Sequence, residues 1–140
     1  MSSAKHTHTL SVKASTKHLS EVRNFVATHA KSFGFEDQEI SDIRLAVDEA
    51  FTNIIEHAYR NDEKQSVKIT LGQNGQTFWI SLFDSGESFS LTDYKKPDVE
   101  KKIKQKKRGG VGVYLIKKLM DDVEYLHEGP QNEIRMIKKR

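Results

Sequence analysis

The chain has 140 residues, 36% hydrophobic and 31% charged, and this balance predicts a single globular domain spanning residues 1–140. It has no apolar run near the ~20 residues of a membrane span and no apolar N-terminal segment of the secretory type, so we expect a cytoplasmic protein that contacts no membrane. Zero cysteines exclude disulfides, thiolate catalysis and cysteine-based zinc sites.

The net charge of +3 is unevenly distributed along the chain. Residues 95–108, KKPDVEKKIKQKKR, contain eight basic and two acidic side chains and therefore carry +6. The remaining residues together carry −3. The positive charge is thus a property of one segment and not of the whole protein.

The N-terminal part of the chain predicts a strand followed by a helix. Residues 6–14 alternate between apolar and polar side chains, which is typical of a short strand. Residues 16–33 carry apolar side chains at helical spacing, and Gly34 is well placed as the residue that ends a helix.

A second, longer helix is predicted to begin after Asp37 and to end near Arg60. Glu49, Asn53 and His57 recur in it at intervals of four residues, which places all three on one stripe of the helix. An acid, an amide oxygen and an imidazole suit a hydrated Mg²⁺ that carries phosphates, because Mg²⁺ takes oxygen ligands and keeps several waters. An ordinary amphipathic helix with a polar border would show the same spacing.

A hairpin follows, because two alternating runs, 67–71 and 78–83, flank the turn dipeptide Asn74-Gly75. The second run is apolar on both faces and should be the central, covered strand. It ends in Asp84-Ser85-Gly86, where the aspartate could cap the turn or bind a ligand.

The chain then loses periodicity until about residue 108, and a loop of this length is usually functional or disordered. Residues 109–112, GGVG, open an amphipathic helix, and two strands flank the turn at Gly129-Pro130. Glycines that lead into a helix N-terminus favour anion binding, although a hinge would look the same. The order of elements predicts an α+β fold: a two-layer α/β sandwich with helices on one face of a mixed, mostly antiparallel sheet.

Three motifs, taken together and in this order, resemble those of the GHKL superfamily of ATPases, which includes gyrases, chaperones, histidine kinases and mismatch-repair ATPases. Residues 48–59, DEAFTNIIEHAY, are similar to its N-box, residues 84–89, DSGESF, to its first glycine box, and residues 108–125, RGGVGVYLIKKLMDDVEY, to its second. Within the superfamily the chain looks like the serine-protein-kinase anti-sigma factors. The resemblance implies the Bergerat, or histidine-kinase-like, ATPase fold with an ATP lid at about 88–108.

The resemblance also implies ATP and Mg²⁺ as cofactors. Asp84 would accept a hydrogen bond from the adenine amino group, Asn53 would coordinate Mg²⁺, and Glu49 would be the catalytic general base. The residues implied in nucleotide binding are Asn53, His57, Asp84, Gly86, Arg108, Gly109, Gly110, Val111 and Gly112. Arg23 resembles an arginine that contacts a partner or a phosphate.

The function implied is that of an ATP- and Mg²⁺-dependent serine-protein kinase that sequesters a sigma factor and phosphorylates an anti-sigma-factor antagonist of the STAS type. We expect a homodimer. The alternative is a non-catalytic ATP-binding module that regulates a partner protein. Direct nucleic-acid binding is disfavoured, because the basic segment offers no aromatic residue for stacking beyond Tyr94.

Overall fold

The computed structural model describes residues 6–86 and 108–140, with side chains described for 7–86 and 114–140. Most of the predicted lid, up to residue 107, lies outside these ranges. The described helices and strands are β1 (His6–Lys13), α1 (Leu19–Phe33), α2 (Asp37–Asn53), β2 (Ser66–Asn74), β3 (Thr77–Asp84), α3 (Arg108–Leu119), β4 (Asp122–Glu128) and β5 (Gln131–Lys139). Within the described ranges, no helix combines the length and apolar character needed to cross a bilayer.

The five described strands form one sheet in the order β1-β2-β3-β5-β4. All four pairings between them are antiparallel, so the parallel pair that a mixed sheet would contain is not among the described strands. The hairpin at Asn74-Gly75 is confirmed, and Gly75 adopts the positive φ of 64° that such a turn requires. The strand predicted to be central, β3, does lie in the middle of the sheet.

Helices cover one face of the sheet, as expected for a two-layer α+β fold. Alternate residues of β2 and β3 are buried on this face, which follows from the two-residue period of a strand. The largest fully buried side chains of the core are Phe51, Phe78, Ile43, Ile69, Leu71, Ile80, Leu82, Ile116, Met136, Val22, Val26 and Val47.

On the opposite face of β3, the described side chains contact residues of the neighbouring strands. The indole of Trp79 packs directly over Gly72 on the neighbouring strand, where a Cβ would leave no room for the ring. Ser81 is fully buried and donates to Glu133 Oε2 at 2.6 Å.

The predicted first helix is confirmed, with a 3₁₀ turn over Thr16–His18 before the regular helix. Gly34 ends it with a φ of 113°, a conformation that glycine adopts without steric cost. The second helix begins at a reciprocal capping arrangement in which Glu39 accepts from the backbone N–H of Glu36 at 2.9 Å.

Contrary to the prediction from the sequence, the second helix does not keep α-helical geometry to near Arg60. Regular α-helical geometry ends at Asn53, and the chain continues as a π-helix over Ile54–Ala58. The Tyr59 N–H donates to the Ile54 carbonyl at 2.9 Å, which is a five-residue hydrogen bond of the π type. Single π turns of this kind frequently occur at functional sites. Arg60 and Asn61 then take positive φ angles and stop the helix.

Candidate functional site

The structure brings the second helix into contact with both the turn after β3 and helix α3. Gly86 packs against the backbone of Ala58 and the ring of Tyr59, in the π-helical extension of α2. Helix α3 packs along α2. The elements that carry the three sequence motifs are therefore connected through the second helix.

The polar stripe of α2 is graded in exposure. Glu49 and Asn53 are half-buried, whereas His57 lies in the π-helical turn and is exposed. The wider turn after Asn53 changes the angular offset of His57 from the ideal stripe that α-helical spacing predicts.

Asn53 has an unusual environment. Its Oδ1 atom is buried and has no hydrogen-bond partner among the described residues. Leaving a buried acceptor unsatisfied costs about 1–3 kcal/mol, so such an atom in a native fold calls for an explanation. Mg²⁺ takes oxygen ligands of this neutral amide type, and the chemistry of Asn53 fits the ion that the sequence motif implies.

Asp84 is buried at the end of β3, with 9% of its surface exposed. Its Oδ1 accepts from the Gly86 N–H and from Asn132 Nδ2, each at 3.0 Å. Burial raises the pKa of Asp84 above its ordinary value, while the two hydrogen bonds act in the opposite direction. Asp84 can therefore cap the turn and also bind a ligand, because Oδ1 alone accepts both hydrogen bonds.

Tyr59 fixes the turn that carries Asp84. Its buried hydroxyl donates to the Ser66 carbonyl at 2.7 Å and accepts from the Ser85 N–H at 2.9 Å. The aromatic residue at the end of the N-box motif thus connects β2 with the turn after β3. Sequence analysis did not single it out, because its periodicity indicates only a core position.

Arg23 is held by a residue that the sequence analysis did not identify. Its Nε donates to both carboxylate oxygens of Asp48, at 2.8 and 3.0 Å, between α1 and α2. The two side chains are 36% and 20% exposed. The ion pair therefore joins α1 to α2 at Asp48, the residue that directly precedes the candidate catalytic base in the sequence.

The second glycine motif forms the first turn of α3, which begins at Arg108 and includes Gly109, Gly110, Val111 and Gly112. The first backbone N–H groups of a helix have no partner within the helix, and they favour phosphate together with the helix dipole. The side chains of these residues lie outside the described part of the chain, so the observation concerns the backbone alone.

Comparison with known proteins shows which family the chain is similar to. Residues 12–138 match the family model described as the histidine kinase-like ATPase domain. The serine-protein kinases RsbW of Bacillus thuringiensis and Bacillus cereus are each 31% identical to this chain over 123 residues, which are 85% of this chain and 76% of the relative.

Two solved structures share the fold. A structure of the RsbU and RsbW domains of a Mycobacterium tuberculosis protein superposes with a TM-score of 0.68 at 15% identity, over 96% of this chain and 32% of that chain. The SiaB-SiaC complex from Pseudomonas aeruginosa gives a TM-score of 0.67 at 12% identity, over 93% of this chain and 88% of that chain. At these identities the likeness concerns the fold alone.

Proposed function

Because the chain belongs to the histidine kinase-like ATPase family and is related to the RsbW serine-protein kinases, we propose that it is itself a serine-protein kinase. The proposed enzyme depends on ATP and Mg²⁺ and acts as an anti-sigma factor. The observation that carries the proposal is the buried Oδ1 of Asn53, which lacks a partner among the described residues and lies one helical turn from Glu49. A carboxylate and an unsatisfied amide oxygen on adjacent turns provide a general base beside a metal ligand.

Adenine recognition is assigned to Asp84. Its Oδ1 accepts from Gly86 and Asn132, and its Oδ2 accepts no hydrogen bond from the described residues. An ionised carboxylate accepts hydrogen bonds and cannot donate them. It therefore suits the amino group of adenine and disfavours guanine, which presents a carbonyl oxygen at the same position.

Phosphate binding is assigned to Asn53, His57 and the N-terminus of α3. Asn53 would hold Mg²⁺ through Oδ1, and the bound ion would neutralise charge on the phosphates. His57, exposed one turn further on, would face the phosphates, and the free backbone N–H groups at residues 108–112 would bind them. Phosphoryl transfer needs little covalent chemistry from a protein, so positioning and charge neutralisation are sufficient.

Glu49 is the candidate general base. As the serine oxygen of the acceptor forms its bond to the γ-phosphorus of ATP and the bond to ADP breaks, the serine proton passes to the Glu49 carboxylate. A carboxylate in this position distinguishes an enzyme that activates a hydroxyl from one that transfers phosphate to an imidazole.

The acceptor is assigned as a serine of a STAS-type anti-sigma-factor antagonist, and the chain would also sequester a sigma factor as a homodimer. The antagonist must place its hydroxyl beside Glu49, so docking of the antagonist and release of the sigma factor share one surface. Arg23, held by Asp48 between α1 and α2 and partly exposed, would contact the docked partner. The phosphate on the product serine would be repelled by the nucleotide phosphates, which favours product release.

The direct test is transfer of label from γ-labelled ATP to a small STAS-type antagonist in the presence of Mg²⁺. We expect acid-stable phosphoserine on the antagonist with the parent chain and none with Glu49→Gln. Binding of Mg-ATP without any transfer would instead support the non-catalytic regulatory module.

The partners and the oligomeric state need separate measurements. Pull-down from the native lysate with ATP should recover a sigma factor, and pull-down with ADP should recover the antagonist preferentially. Sedimentation equilibrium should give twice the mass of one chain. Recovery of neither protein by a chain that binds ATP would contradict the anti-sigma assignment and leave the nucleotide site intact.

A further inference from the structure

Three polar side chains form a row across β3, β5 and β4 at one end of the sheet. Asp84 lies opposite Asn132, and Asn132 lies opposite His127, in the register of the two strand pairings. Directly opposed residues project from the same face of an antiparallel sheet. The row therefore extends from the buried carboxylate of Asp84 to the exposed ring of His127.

Asn132 uses its side-chain amide fully within this row. Its Nδ2 donates to Asp84 Oδ1 at 3.0 Å and to the Gly86 carbonyl at 3.1 Å, and its Oδ1 lies 2.7 Å from His127 Nδ1. An amide has two N–H donors, and both face acceptors here. Asn132 thus connects the carboxylate, the turn after β3 and the histidine.

The orientation of this amide follows from chemistry. Asp84 Oδ1 and the Gly86 carbonyl are both acceptors, so only the NH₂ group of Asn132 can face them. The amide oxygen must then face His127, whose Nδ1 must carry the hydrogen that completes the third bond. His127, with its hydrogen on Nδ1, therefore adds a third bond that supports the amide orientation in which Asn132 donates to Asp84.

We propose that Asn132, oriented by His127, is a positioning residue that sets the adenine specificity of this site. Asn132 donates to Asp84 Oδ1 and to the Gly86 carbonyl, and these two bonds would hold Asp84 with its Oδ2 directed toward the adenine amino group. The inference rests on the proposed function, namely that ATP binds beside Asp84. Sequence analysis did not reveal the residue, because Asn132 follows a turn and matches none of the three motifs.

The test compares the affinities of the full chain for Mg-ATP and for the Mg²⁺ complex of purine riboside triphosphate, which lacks the amino group. The parent should prefer ATP. We expect Asn132→Ala to weaken ATP about tenfold, the effect of losing one well-placed hydrogen bond, and to weaken the analogue much less. The ratio of the two affinities should therefore fall toward one. Gln131→Ala, an exposed amide next in the chain, should keep the parent ratio.

His127→Phe provides an independent variant, because the ring is exposed and its replacement keeps an aromatic side chain in β4. It should lower the ratio in the same direction, by about two- to fivefold, since the amide remains but loses the partner that orients it. A role in stability alone would weaken both nucleotides equally in Asn132→Ala and leave His127→Phe at the parent ratio.

The outcomes separate this inference from the proposed function. A parent chain that binds neither nucleotide contradicts the assignment of an ATP site at Asp84. A parent chain that prefers ATP, with variants that keep the parent ratio, contradicts the positioning role of Asn132 alone. If Asn132→Ala fails to fold, the ratio measured for His127→Phe decides the question.

Discussion

Gly86 lies against the backbone carbonyl of Ala58 so closely that a Cβ atom at residue 86 would overlap that group. The contact joins the turn after β3 to the π-helical extension of α2. The glycine of the first glycine box is therefore required by close packing between two backbone segments. Both segments carry residues assigned to nucleotide binding.

Replacing Gly86 with alanine should move the turn away from α2, because the overlapping neighbour is backbone and cannot rotate aside. We expect a loss of about 1–3 kcal/mol in the free energy of unfolding and weaker binding of ATP. Urea denaturation and calorimetry measure the two effects. Ser85→Ala, at an exposed neighbouring side chain, is the control. A Gly86→Ala chain with parent stability would show that the turn adjusts freely.

Asp84→Asn should weaken ATP by ~1.5–3 kcal/mol, the range for a hydrogen bond to a charged group. Titration calorimetry with ATP measures this effect, and Asp42→Asn on the exposed part of α2 is the control. Equal affinities of Asp84→Asn and the parent chain would remove Asp84 from adenine recognition.

The same substitution should change how stability depends on pH. Burial raises the folded-state pKa of Asp84 above its unfolded value, so its contribution favours folding below the unfolded pKa and is lost as pH rises through the folded pKa. The ionised carboxylate therefore costs stability at neutral pH. We expect Asp84→Asn to show a smaller decrease in the free energy of unfolding as pH rises through the acidic range. Denaturation curves across this range provide the measurement, and a steeper decrease than in the parent would contradict the assignment.

Asn53→Ala should separate stability from function. It removes a buried oxygen that lacks a partner among the described side chains, and alanine is the better helix former. The unfolding free energy of the ligand-free chain should therefore stay equal or rise by about 1 kcal/mol. The Mg²⁺-dependent increase in melting temperature with ATP should be lost. The control is Ser41→Ala, exposed on the same helix, which should keep the Mg²⁺-dependent increase in melting temperature. If Asn53→Ala also keeps this increase, Asn53 is not the metal ligand.

Glu49→Gln should retain nucleotide binding and lose transfer, because a general base acts on the acceptor hydroxyl and not on ATP. We expect the rate of phosphorylation to fall about 10²–10⁴-fold with little change in ATP affinity. Glu63→Gln, in an exposed segment, is the matched control for loss of one negative charge. Near-parental turnover of Glu49→Gln would reassign the base.

The Arg23–Asp48 pair should matter for partner docking more than for stability. Both side chains are partly exposed, and such pairs contribute about 0–1 kcal/mol to folding. We expect Arg23→Ala to raise the KM for the antagonist while ATP affinity stays at the parent value. Steady-state phosphorylation assays measure this, with Lys31→Ala on the exposed face of α1 as the control. An unchanged KM would mean that the pair only connects the two helices.

Local patterns predicted the elements well, because their physical causes are local. The hairpin follows from alternation around Asn74-Gly75, and the end of α1 follows from Gly34. The π-helical turn after Asn53 was not predicted, since apolar spacing over Ile54–Ala58 suits an α-helix equally well. In the structure this π-helical segment packs against the turn after β3, where Gly86 lies close to Ala58.

The sequence by itself determined the order of elements, the α+β class and the motif positions of Glu49, Asn53 and Asp84, because periodicity, turn chemistry and motif spacing are contained in short stretches. Only the tertiary structure decided which oxygen of Asp84 is already occupied, that Asn53 Oδ1 is buried without a partner in the described part of the chain, and that Asp48 holds Arg23. These relations join residues 25 to 48 positions apart or depend on burial by several elements. They follow from strand register and helix packing, which no single stretch of the chain specifies.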